Sequence, residues 1–211
     1  MRKFIYEMSD ATFSGDRKGM AWAGGFGPLP EGMPFLHPVQ LERAIAFWKI
    51  NPMLPGLSID PGGSVWPDFL GHGGVGGISF FVSDRVLYLL RSNNVQVGRT
   101  TEMPIAEIKA KRLRHKSPPK YFVVETLPGI EVDYVASEIP TDAMGKSALI
   151  PLPKPWPPQF IRARASSWNG TDLFSYGNWG GPLEWVCTEK LKDLVERACL
   201  INIEFQPRKM I

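Results

Sequence analysis

Acid–base and nucleophilic chemistry near neutral pH draws first on histidine, and this chain has three: His37, His72 and His115. His37 stands before Pro38 at a predicted helix start, a structural or exposed place. His115 lies inside a run of cations with no acid near in sequence to orient it. His72 sits in a glycine-rich stretch shortly after Asp68. An aspartate that orients a histidine is the pairing a small hydrolase would use, so His72 with Asp68 is the hydrolytic alternative. The segment Gly71-His72-Gly73-Gly74-Val75-Gly76 also spells the Gly-x-Gly-x-x-Gly pattern. Dinucleotide binding needs a strand before that pattern and a helix after it, whereas here a strand follows, so a surface loop is expected. No Cys-x-x-Cys, His-Glu-x-x-His or spaced carboxylate loop occurs, and neither metal nor cofactor is expected.

Charge is placed unevenly. Lys109, Lys111, Arg112, Arg114, Lys116 and Lys120 follow one another with no acid among them, and without them the net charge of +3 would be negative. Such a run could meet nucleic-acid phosphates, but it holds no aromatic residue for base stacking before Tyr121-Phe122. A solvated loop, or a docking patch for an acidic protein, is the favoured reading. Tryptophan is the second unusual feature. Trp156, Trp168, Trp179 and Trp185 fall among prolines, glycines and asparagines, either as covers of the core or as the large rigid rings that interfaces favour. Trp168, Tyr176 and Trp179, with Lys111, Arg112 and Arg114, are the candidate partner-binding residues.

Several elements must position these groups. Met1–Met8 reads as a first strand, its apolar stretch interrupted by Glu7 and Asp10 and therefore not an export signal, and no apolar run is long enough for a membrane span. A helix is expected over 38–50, with Leu41, Ala44, Ile45 and Trp48 on one face. Ile78–Val82 reads as a strand, Ser83 as an N-cap, and Val86, Leu87, Leu89 and Leu90 as the buried side of a helix that Asn93-Asn94 closes. Val95–Val97 reads as a strand, and Ile105–Leu113 as either strand or short helix. Tyr121–Thr126 is strongly β, with Ile130–Tyr134 expected to pair with it as a hairpin across Pro128-Gly129. A proline-rich extended connection follows over 139–160. Glu184–Cys187 then reads as a strand, Thr188 as an N-cap, Leu191, Leu194, Val195 and Ala198 as a helix, and Ile201–Phe205 as a closing strand.

Val82-Ser83-Asp84-Arg85 and Cys187-Thr188-Glu189-Lys190 share an order of hydroxyl, acid and base. The likeness fades in sequence after one helical turn, which favours ordinary capping over a duplicated β–α–β unit. Cys187 and Cys199 are expected as free thiols, consistent with a cytoplasmic protein. The expected architecture is one α+β domain over 1–211, with a possible N-terminal subdomain over 1–60. Its sheet would be mixed or antiparallel, flanked by about three helices and rich in loops.

Several segments carry a family likeness: Trp66-Pro67-Asp68-Phe69, Ile78–Arg85 with its helix, Tyr121–Val124, Asp172-Leu173-Phe174, Val186–Leu191 and Asn202–Phe205. In this order they resemble a group of bacterial immunity proteins linked to polymorphic toxins and to contact-dependent or type VI secretion. The resemblance spans residues 65–207. It implies a non-enzymatic protein that binds a cognate toxin and blocks its active site or substrate access. It brings no catalytic residue, does not identify the toxin and leaves the oligomeric state open.

Overall fold

The computed structural model describes residues 4–9, 20–26, 49, 56–71, 81–137, 139, 161–177 and 185–211. Strands dominate. Six of them close a barrel in the order β1 (Phe4–Ser9), β12 (Trp185–Cys187), β11 (Leu173–Tyr176), β9 (Pro128–Val132), β10 (Arg162–Arg164) and β13 (Glu204–Met210). β13 returns to β1 over six residue pairs, from Phe4↔Lys209 to Ser9↔Glu204. A four-stranded antiparallel sheet orders β4 (Phe69–Leu70), β5 (Phe81–Ser83), β8 (Tyr121–Val124) and β6 (Thr100–Met103). A third sheet joins β2 (Ala23–Phe26), β3 (Leu57–Ile59) and β7 (Ile105–Ile108). Two α-helices, Asp84–Ser92 and Glu189–Arg197, are complete among the described residues.

Side-chain alternation along the strands sorts the core into three layers. Ile5, Val186, Phe174, Val132 and Met210 fill the barrel. The other faces of β11 and β12, with Leu173, Trp185 and Cys187, meet both helices in a central layer that Phe69, Val82 and Val124 close from the opposite side. The alternate residues of that second sheet, Leu70, Phe81, Tyr121 and Val123, point away and pack on Leu57, Ile59, Ala110 and Leu113. β4, β5 and β8 are therefore buried on both faces, which explains their apolar character, while the edge strand β6 keeps polar residues at Thr100, Thr101 and Glu102.

The two helices are built alike. Ser83 and Thr188 each cap a helix by accepting from the amide three residues on, and each donates its hydroxyl to an aspartate that immediately precedes the neighbouring strand. Those aspartates are Asp68, at 2.8 Å, and Asp172, at 2.7 Å. Each carboxylate also holds the base two residues past the cap, Arg85 in one case and Lys190 in the other. The match continues to the far end. Asn94 (φ 55°) and Cys199 (φ 50°) both turn left-handed. The amides of Val95 and Leu200 then reach back to the carbonyls of Leu90 and Val195, the closure known as a Schellman motif. No insertion separates the two copies between cap and closure. Capping at Ser83 and Thr188 is present as expected, and the equivalence of the two strand–strand–helix units reaches well past the first turn. Sequence conceals the repeat because its fixed points are backbone angles and two distant aspartates, while the helix surfaces diverge.

Other expectations change as well. The protein is α+β but mainly β, with two helices among the described residues in place of about three; of the helix expected over 38–50 only Lys49 is described, and it is helical. The β8–β9 hairpin does not form: β8 lies between β5 and β6, whereas β9 lies between β10 and β11 in the barrel. Gly129 is no turn glycine; a methyl there would run into the Phe174 side chain. Val95–Val97 is not a strand, Ile105–Ile108 is strand followed by turn, and the closing strand begins at Glu204 and not Ile201.

Asp68 holds more than its own helix. Its second oxygen accepts the Ile201 amide at 3.0 Å, just beyond the other helix, and Arg85 bridges from it to the Ala198 carbonyl. Replacing Asp68 by Ala orphans a buried hydroxyl and an amide, and should cost about 3 kcal/mol in urea unfolding. Arg85→Ala removes a side chain that is 60% exposed, and should cost less than about 1 kcal/mol. Equal losses for the two variants would show that the ion pair, not the buried acceptor, carries the stabilisation.

Candidate protein-binding site

The basic run is placed by the third sheet. β3 and β7 run parallel, with Leu57 opposite Ile105 and Ile59 opposite Ile108, so the chain leaves both strands on the same side. The turn at Pro61-Gly62 and the turn after Ala110 therefore stand next to each other. Between them lies an open depression of about 410 Å3, lined by Pro61, Gly62, Lys109, Lys111 and Arg112.

The second turn is rigidly seated. Ala110 and Leu113 are fully buried in the core beneath it. The Lys109 amide donates to the Ile59 carbonyl at 3.0 Å, and the Lys116 ammonium donates to the Ser64 carbonyl at 2.7 Å. Burying two side chains of one short turn fixes which of its others point out. Lys111, Arg112, Arg114, His115 and Lys116 are all exposed. They differ in what they touch. Lys109 pairs with Glu107 and Lys120 with Glu102, while the Arg114 Nε donates to the Ile108 carbonyl. Lys111 and Arg112 have no hydrogen-bond or ion-pair partner among the described residues.

The aromatic candidates fare differently. Tyr176, a contact candidate from its sequence, is buried and not at the surface: it is 5% exposed inside the barrel, and its hydroxyl donates to Glu7 at 3.1 Å. Trp168 is half-buried, packs against the barrel core and donates its indole N–H to the Thr171 carbonyl. Trp185 is a core residue of β12. Trp156 and Trp179, like His37 and His72, lie outside the described residues. Asp68, the acid of the hydrolytic alternative, has its carboxylate occupied by Ser83, Arg85 and the Ile201 amide. That coordination marks a structural acceptor. Both cysteines are free, Cys187 buried and Cys199 exposed, and burial pushes the Cys187 thiol well up from its ordinary range.

One charged cluster escaped the sequence reading. Glu7 and Arg208 form a buried ion pair inside the barrel, joined by the Tyr176 hydroxyl and, through Arg208, by Gln206. Their separation along the chain leaves no local signal; alternation in β1 shows only that Glu7 shares a face with Ile5. Among the described residues no group of three or more His, Cys, Asp or Glu side chains could hold a metal ion, and no helix is long and apolar enough to cross a membrane. No protein-family model and no curated protein matches the chain.

Arg208→Met leaves the Glu7 carboxylate buried without its cation and should cost about 3–5 kcal/mol. Joint replacement of Glu7 and Arg208 by Met should recover most of that loss, as measured by denaturant midpoints. A double variant no more stable than Arg208→Met would mean that the pair is needed for barrel closure itself.

Proposed function

We propose that this chain is an immunity protein, a stoichiometric inhibitor that binds a bacterial toxin and covers its active site or substrate channel. The structural observation behind this reading is the seated basic turn. An ammonium and a guanidinium with no partner among the described residues, exposed on a backbone anchored by Ala110 and Leu113, suit recognition of a charged protein surface. Such an arrangement raises the association rate and selects the partner, and it loses little conformational freedom on binding because the turn is already fixed. The likeness of residues 65–207 to immunity proteins supports the same reading. On this proposal the chain performs no catalysis and acts in the cytoplasm, where the toxin's target would lie.

The hydrolase alternative loses support from the engaged Asp68 carboxylate. A nucleic-acid module is less favoured because Tyr121, the aromatic that follows the basic run, is spent in the core and donates its hydroxyl to the Pro67 carbonyl at 2.7 Å.

The test is co-expression with the product of the neighbouring gene. A one-to-one complex on affinity purification, together with survival of cells that the neighbour alone kills, is the expected outcome. Survival without a complex would replace inhibition by an enzymatic action on the damage. A harmless neighbour that does not copurify would remove the immunity assignment.

A further inference from the structure

We infer that the depression between the two turns seats a carboxylate-rich segment of the partner protein, with Lys111 and Arg112 as its anchoring cations. This rests on the reading of the chain as a protein-binding inhibitor and gives the chemistry of the surface it meets.

The form of the site carries the inference first. Its lining includes Gly62, where an added Cβ would meet nothing nearer than the Asp60 carboxylate at 4.0 Å. A ligand can therefore approach the chain closely. Asp60 itself accepts the Gly62 amide at 3.3 Å, so its charge is partly engaged within its own turn. A depression of about 410 Å3 admits a few side chains of an extended segment, and a folded domain would rest on its rim.

The charge pattern then selects the occupant. Both ends of the basic run are neutralised, Lys109 by Glu107 and Lys120 by Glu102. Arg114 and Lys116 turn their donors onto backbone carbonyls. Lys111 and Arg112 are left as the cations of the run whose donors have no partner among the described residues, one a compact point charge and the other a planar fork that fits a carboxylate bidentately. A nucleic-acid backbone calls for a stripe of cations at successive phosphate positions and for aromatic platforms. Beyond Lys111 and Arg112 the run offers cations already engaged with Glu107, Glu102 or backbone carbonyls, so no stripe of disengaged cations continues from the depression among the described residues. A short acidic peptide need not leave it.

Chemical-shift mapping on the full chain tests the assignment, with hexaglutamate and an oligothymidylate of equal length as probes. Hexaglutamate should shift the amides of Gly62, Lys111 and Arg112, and Lys111→Glu with Arg112→Glu should weaken binding about tenfold or more while leaving the melting temperature unchanged. Absent shifts, shifts centred elsewhere, or tighter binding of oligothymidylate at the same residues would overturn the inference. Cell rescue by the toxin's neighbour separates the two levels. Loss of rescue in the folded double variant supports the seat. Rescue unchanged in that variant keeps the immunity reading and overturns the seat. If wild type fails to rescue, the immunity reading falls, and the peptide titration alone decides whether the depression binds carboxylates.

Discussion

The Asp68 carboxylate is the point on which the layers of this protein depend. A side chain 5% exposed carries its acceptors into the protein, and its donors come from two separate elements: the cap hydroxyl and guanidinium of one helix and an amide beyond the other. Buried charge is tolerated only with such compensation. The consequence is positional. β4, the Asp84–Ser92 helix and the segment after the Glu189–Arg197 helix cannot shift relative to one another without leaving an acceptor or donor unpaired. Neighbouring bonds reinforce the joint, with the Phe69 amide donating to the Ile201 carbonyl and the Asn202 amide group donating to the Phe69 carbonyl.

The repeat gives this joint its context. In each copy one face of a strand pair supports the helix, and the opposite face builds a separate core. Phe69 and Leu173 share the central layer, while Leu70 goes to the outer sheet and Phe174 to the barrel lumen. Two equal units thus serve two different architectures. Lys192 shows how the second has been adapted: its ammonium lies 5.5 Å from the centre of the Tyr6 ring and 5.9 Å from that of Phe205, tying the helix to the barrel wall. A hydrogen bond to Glu196 raises its pKa and keeps it charged.

Local chemistry was readable in the sequence and partner choice was not. Ser83 and Thr188 announce their helices because capping involves residues three apart. Asn94 announces a left-handed closure, while Cys199 performs the same turn without the residue type that signals it. Tyr121–Val124 and Pro128–Val132 were visible as strands, yet their sheet partners depend on contacts with Phe122 opposite Val82 and Ala163 opposite Val132, far away along the chain. The candidate site divides in the same way. The charge run was plain, but only the parallel register of β3 and β7 shows that Lys111 and Arg112 face Gly62 while Arg114 folds back. Tyr176 misled because its polar, glycine-containing neighbourhood resembles a surface, and the acid that buries it lies in the first strand.

Barrel closure has a consequence for the order of events during synthesis. β13 supplies both remaining seams, pairing antiparallel with β1 and parallel with β10. Until Glu204–Met210 has emerged from the ribosome, Phe4–Ser9 and Arg162–Arg164 each present an unpaired edge, and the Glu7 carboxylate lacks Arg208. The strands of the other two sheets, which lie between residues 23 and 124, do not pair with β13. The barrel must wait for β13, with one edge of its first strand open until then. A chaperone that shields that strand, or slow release of the nascent chain, would bear directly on how much active protein a cell obtains.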